Sequence, residues 1–322
     1  LATGSRDEFA ARIWDVASGQ MLLRLKGESD YYRKGLMFSS DGKSLIVPAG
    51  RTKTVEIFDV ETGRLRQSLD AGALEPRDVA ISTDGRLLAA IGSGAAIKLW
   101  SLPEGRSLTD RFIGHDEAAY EVVFTPNGQQ VVAGSRDGTI RVWEADTGRQ
   151  LRSVGPHGWV TDLTVSPDGK KIASCGLDET VRLWDFESGR EIFTLPGHGR
   201  LGGNDDYTVG FTPDGKRFLS FGLDMYLRVW STQTGKALVE HAIRPSGLEF
   251  EETEDGGLRL ADTGEGPLAI SRFWRAPRQA HFTADAERLF LSDRHTVYLF
   301  DVESGREIDT WTTEESLHKF RV

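Results

Sequence analysis

The chain has 322 residues, 39% of them hydrophobic and 27% charged, with a formal net charge of −10. That balance argues against a nucleic-acid groove, which needs a basic stripe, and the acidity serves solubility without naming a partner. The single cysteine, Cys175, rules out an intrachain disulfide. No apolar run approaches the ~18–20 residues of a membrane-spanning helix, and no signal peptide is visible.

In chain order, 1–5 reads as the second strand of a unit, 11–16 as its third and 21–26 as its fourth. The innermost strand of that unit is missing at the start of the chain. A second unit is expected from about Tyr32 to Leu69, with its first turn at Ser40-Asp41-Gly42. A third runs from Arg77 to Arg111, turning at Thr83-Asp84-Gly85. A fourth runs from Ala119 to Val154, turning at Pro126-Asn127-Gly128. A fifth runs from Val160 to Leu195, turning at Pro167-Asp168-Gly169. A sixth runs from Asp206 to Ile243, turning at Pro213-Asp214-Gly215. Pro and Gly at these places pre-set a tight hairpin. The stretch from about 244 to 275 is an acidic insertion that reads as a hairpin around Asp255-Gly256-Gly257, either a cover for the rim or a recognition arm. A seventh unit runs from Arg278 to Thr313, its turn Thr283-Ala284-Asp285 lacking the Gly. Residues 317–322 then sit where other units begin, and are expected to supply the strand missing at the start, which removes open edges.

The units share one phrase. ARIWDVASGQ, VEIFDVETGR, IKLWSLPEGR, IRVWEADTGR, VRLWDFESGR, LRVWSTQTGK and VYLFDVESGR place Trp14, Phe58, Trp100, Trp143, Trp184, Trp230 and Phe300 at one position. The steps between them are 44, 42, 43, 41, 46 and 70 residues. A period of about 40–45 residues ending in Trp-Asp signals a four-stranded propeller blade.

With its aromatic-acid pairs (Trp14-Asp15, Phe58-Asp59, Trp143-Glu144, Trp184-Asp185, Phe300-Asp301) and Gly-His pairs (Gly114-His115, Gly197-His198), the chain resembles the WD40-repeat family. The resemblance covers nearly all of the chain. It implies an all-β fold: a seven-bladed propeller of four-stranded antiparallel blades, closed by pairing the C-terminal strand with the N-terminal blade. Residues 1–322 would form one domain of a longer protein.

The resemblance also implies a buried network of connector His, second-strand Ser or Thr, turn Asp and third-strand Trp. Its counterparts are His157, Ser174, Asp178 and Trp184 in the fifth blade, and His198, Ser220, Asp224 and Trp230 in the sixth. The fourth blade has His115, Asp137 and Trp143, but Ala133 replaces the hydroxyl. The first has Thr3, Asp7 and Trp14 without a His. Blades two, three and seven lack the turn Asp, so blades four to six are expected to be the rigid side. Ser, His and Asp also compose a hydrolase triad. The same trio at repeat spacing in two blades fits a structural network better than one active site, and no enzymatic activity is expected. His115, His157 and His198 lie on successive blades, too far apart to share an ion. Asn204-Asp205-Asp206 matches no calcium-loop signature, and Gly92-Ser93-Gly94 lacks the Lys of a phosphate loop. No metal or cofactor is expected. Cys175 is expected on an inner strand as a buried, inert thiol.

In family repeats, residues before the inner strand and before the turn Asp surround the central opening. The matching positions include Tyr32, Trp159 and Asp205 in the first set, with Glu75 and Ala118. In the second they are Arg6, Arg136, Leu177 and Leu223, with Arg51 and Arg294 in the less regular turns. Trp, Tyr and Arg are what interface hot spots use. The expectation is therefore a cytoplasmic, non-catalytic scaffold that binds a protein or peptide on this face, with no nucleic acid and no membrane; the alternatives are a structural or autoinhibitory module of a larger signalling or effector protein, with a fused effector or kinase domain as its partner, and a hydrolase that uses the propeller as a support.

Overall fold

The computed structural model describes residues 2–5, 10–15, 20–26, 35–108, 114–198, 207–222, 224, 226–242, 250–252, 258–260, 279–282, 287–292, 296–301, 307–312 and 319–321. Among these residues every regular element is a β-strand. The strands assemble into seven four-stranded antiparallel sheets and one two-stranded hairpin.

The fourth sheet sets the pattern. Ala119–Phe124, Gln130–Ser135, Ile140–Glu144 and Gln150–Val154 lie side by side in chain order. The fifth repeats it with Val160–Val165, Lys171–Gly176, Thr180–Asp185 and Glu191–Pro196. The sixth uses Thr208–Phe211, Arg217–Phe221, Tyr226–Ser231 and Ala237–Ala242. In the second sheet the described first strand is Met37–Phe38, and the predicted start at Tyr32 lies outside the described residues. In the third, the outer strand is Arg106–Ser107 among the described residues. The seventh spans Gln279–Phe282 to Glu307–Thr312. In the first sheet, Lys319–Arg321 pairs antiparallel with Ala2–Ser5, matching Ala2 with Arg321 and Gly4 with Lys319. Within the insertion, Phe250–Glu252 pairs with Leu258–Leu260. The intervening Asp255, Gly256 and Gly257, like the turn at 283–285, lie outside the described residues.

Six of the seven four-stranded sheets are irregular at the aromatic of their phrase. The ladder between third and fourth strands shifts register at Trp14, Phe58, Trp143, Trp184, Trp230 and Phe300. A bulge increases local twist and re-aims side chains. The second strands are buried on both faces, as in Gln130–Ser135 and Lys171–Gly176. This follows from position: each sheet is packed between two neighbours, so both sets of an alternating strand are covered.

The hydrophobic core is accordingly a series of inter-sheet layers. Trp143 packs with Val131 and Ala133 against Ala89, Ile91 and Leu99 of the preceding sheet. Trp184 lies in a cluster with Val132, Val142 and Val154 of its own predecessor, and Trp230 in one with Cys175, Val181 and Leu183. Trp100 and Phe58 repeat the arrangement earlier in the chain. In the second to sixth sheets the fixed aromatic is therefore the piece each sheet presses onto the one before it. Burial of such side chains stabilises by roughly 1.5–3 kcal/mol each. Successive sheets also touch through their first strands, and Gln279–Phe282 touches Lys319–Arg321. Cys175 is 1% exposed, on the second strand of the fifth sheet and not its innermost one.

Candidate functional site at the sheet connectors

The turns between second and third strands meet the connectors that lead to the next sheet. Arg136 N donates to Ala118 O at 3.0 Å, His157 N to Gly138 O at 2.9 Å and Leu177 N to Trp159 O at 3.0 Å. This approach needs Gly138, at φ 78°, because a Cβ there would lie 2.6 Å from His157 O. In the fifth sheet Glu179 holds the same left-handed conformation at φ 62°.

Buried polar side chains brace this junction. In the sixth sheet Trp230 Nε1 donates to Ser220 Oγ at 2.9 Å, and Ser220 Oγ lies 2.8 Å from His198 Nε2. His198 Nδ1 lies 2.7 Å from Asp224 Oδ1. Since the indole can only donate, the serine proton is free for Nε2, while Nδ1 lies 2.7 Å from both Asp224 Oδ1 and Arg228 Nη1. In the fifth sheet Trp184 Nε1 donates to Ser174 Oγ at 2.8 Å and His157 Nδ1 meets Asp178 Oδ2 at 3.1 Å. The expected chain of four is broken there. His157 Nε2 is buried without a partner among the described residues, the ring being tilted 46° to Trp184. In the fourth sheet, where Ala133 removes the hydroxyl, His115 Nε2 meets the Ala133 carbonyl at 3.2 Å and Nδ1 meets Asp137 Oδ2 at 3.0 Å.

The charges follow this geometry. Burial lowers the pKa of His115 against the pull of Asp137. Burial works to raise Asp137, Asp178 and Asp224, yet all three lie below the usual carboxylate value. Asp137 is held down by hydrogen bonds from Thr139 and the Asp116 amide, Asp178 by the hydrogen bond and charge of His157, and Asp224 by His198 and then Arg228. The pairings are charge-assisted hydrogen bonds, which favour the ionised acid.

Two sets of residues in this junction escaped the sequence reading. Arg141, Arg182 and Arg228 stand four residues after the turn Asp and pair with it. Arg141 and Arg182 also reach the connector carbonyls Gly114 O at 3.0 Å and Pro156 O at 2.8 Å. In the third sheet, which has no turn Asp, Lys98 Nζ donates to Asp70 O at 3.1 Å. The signal was the basic residue two places before the aromatic in IKLW, IRVW, VRLW and LRVW. The second set is Asp78 and Asp162, placed by a bulge in each first strand. Both are buried, and each accepts a backbone N–H from the next sheet, Val122 N at 3.1 Å and Val209 N at 3.0 Å. Their signal was an acid third in PRDVAI and VTDLTV.

Of the expected surface anchors, the structure brings Arg136 and Trp159 together. The guanidinium carbon lies 4.0 Å from the Trp159 ring centroid, joining adjacent sheets, and Arg136 Nε is 3.1 Å from Glu117 Oε2. Arg136 and Glu117 are each about half exposed. Leu177 is half-buried and packs partly onto the layer containing Cys175 and Tyr207. Arg51 is exposed in the turn of the second sheet. Tyr32, Arg6, Arg294, Leu223 and Asp205 lie outside the described residues. So do Asn204 and Asp206. No group of three or more His, Cys, Asp or Glu suited to a metal ion occurs among the described residues, and no described helix is long and apolar enough to cross a membrane.

A repeating all-β protein of four-stranded sheets, the second to sixth keyed to their predecessors by one aromatic, is the class this arrangement defines. The family model for the WD domain, G-beta repeat, matches residues 106–144, 148–185 and 189–231. Each matched segment begins at an outer strand and ends with the aromatic strand of the next sheet, so the sequence repeat straddles two sheets. The chain is 34% identical over 195 residues to the nuclear distribution protein PAC1 of Arthroderma otae, covering 51% of this chain and 41% of that protein. It is 28% identical over 185 residues to the nuclear distribution protein nudF of Aspergillus niger, at the same coverage of 51% and 41%. To the protein groucho of Drosophila melanogaster it is 30% identical over 127 residues, 39% of this chain and 17% of that one. Residues 106–231 thus carry three WD repeats, and over them the chain is similar to WD40-repeat proteins. It spans less than half the length of these curated relatives.

Proposed function

We propose that residues 1–322 form one seven-bladed propeller, closed by the strand at 319–321, which acts as a non-catalytic scaffold. It holds a protein or peptide partner on the face where connectors meet the turns. The reading rests on the Arg136–Trp159 pair. A stacked guanidinium and indole shared by two sheets give a rigid, half-exposed anchor of the type that dominates interface energetics. The pairing of first and last strands and the succession of first-strand contacts support the ring. Tyr32, Arg6, Arg51, Arg294, Leu177, Leu223 and Asp205 belong to the same proposed face. His157, Ser174, Asp178, Trp184, His198, Ser220, Asp224 and Trp230 act beneath it, as braces and not as a reacting set. The cytoplasm is the compartment we assign, and imaging of the tagged protein checks it.

The test is partner capture from extract. Trp159→Ala and Arg136→Glu are expected to lose partners that the unmodified protein retains, with stability changed by no more than about 1 kcal/mol, as is usual at half-exposed positions. Retention of every partner by both variants would move the binding face elsewhere.

A further inference from the structure

The Trp159 face that would attract a cationic side chain from a partner is already covered by the chain's own Arg136. That occupancy changes what the surface can recognise. Arg136 Nε faces Glu117, while its two terminal amino groups have no hydrogen bond among the described residues. Its place over the indole restrains the guanidinium, and the side chain as a whole stays about half exposed to solvent. A flat, pre-oriented fork fits the two oxygens of a carboxylate or phosphate, and less is lost in ordering it than in ordering a free arginine. Leu177 adjoins the pair, since its backbone N–H donates to Trp159 O. Its half-buried side chain supplies aliphatic surface on the turn next to Trp159.

We propose that Arg136, Trp159 and Leu177 form an oxyanion-recognition site for a partner segment in which an acidic or phosphorylated residue is followed by an aliphatic one, with Glu117 as the internal competitor for the arginine. This rests on the interaction-face reading above and specifies its chemistry. Glu117 has two roles in the site. It keeps Arg136 in place when the site is empty, and it repels the incoming anion.

The experiment uses the full chain and fluorescein-labelled peptides carrying Glu-Leu pairs spaced by Gly-Ser, read by fluorescence anisotropy. Gln-Leu, Lys-Leu and phosphoserine-Leu versions serve as the comparison arms. The Glu-Leu or the phosphoserine-Leu peptide is expected to bind at least about tenfold tighter than the Gln-Leu peptide, and whichever is tighter identifies the source of the anion. Arg136→Gln should remove that preference. Arg136→Lys should restore only part of it, because a point charge lacks the fork. Glu117→Gln should tighten anion binding severalfold, whereas Glu61→Gln, the same charge change in a distant exposed turn, should not. Equal binding of the acidic and Gln-Leu peptides, an Arg136→Gln protein that keeps the preference, or weaker binding after Glu117→Gln would each overturn the proposal. If Trp159→Ala loses captured partners while no acidic peptide binds, the interaction face stands and its anion chemistry falls.

Discussion

Ser220 and Ser174 occupy the same place in consecutive sheets but perform different work. Ser220 accepts from Trp230 and reaches His198, whereas Ser174 accepts from Trp184 and leaves His157 Nε2 alone. Removing Ser220 strands two buried groups, and removing Ser174 strands one. Ser220→Ala should therefore lower unfolding free energy in urea by about 1–3 kcal/mol more than Ser174→Ala, the cost of one further unsatisfied buried group. Equal losses would mean that His198 does not depend on the hydroxyl. Acid should also weaken the fold. His115 has a folded pKa below its ordinary 6.5, and Asp137, Asp178 and Asp224 have folded values below 3.8. In every case the unfolded chain binds the proton more readily, so stability is complete above the unfolded values and falls as pH drops through them. The melting temperature should start to fall below about pH 6.5 through His115 and fall again below about pH 4 through the three carboxylates. His115→Gln should flatten the first part of that curve.

At the scale of the element, the strands were readable because each carries its own local instructions. Turn residues flank β-branched and aromatic runs, and the Trp phrase repeats. The strand ends were less so. Met37–Phe38 and Arg106–Ser107, the described parts of the second sheet's first strand and the third sheet's last, lie inside the spans that the turns predict, and spacing does not set where such edge strands begin and end. The bulges of the first strands were not legible at all. They turn Asp78 and Asp162 toward the following sheet, where each takes a backbone N–H. Asp162→Ala would leave Val209 N without its acceptor and open the layer between fifth and sixth sheets. We expect a loss of about 1–3 kcal/mol in urea melts, with faster amide exchange at Val209 than in the strands around Trp100. Unchanged exchange there would show that the clasp is dispensable.

At the scale of the whole molecule, stability is divided among inter-sheet layers, and none of them is closed by a single segment of chain. The proposed ring depends on Lys319–Arg321 lying beside Ala2–Ser5. Deleting 317–322 would leave Ala2–Ser5 as an open edge, which invites pairing with a second chain. The truncated protein should melt at a lower temperature and elute as dimers or larger species in size-exclusion chromatography. A monomer that melts like the intact chain would rule out closure by that strand.

The sequence by itself determined the class of fold, the order of the strands and the aromatic that keys each sheet to its neighbour. Those features are local and periodic, so they can be read from spacing alone. Tertiary structure alone decided that Arg136 lies over the Trp159 ring, that His157 misses Ser174, and that Asp162 bonds to the next sheet. Such contacts join residues brought close by packing, and their distances depend on how one sheet is rotated against the next. The spacing of residues along the chain carries no record of that rotation.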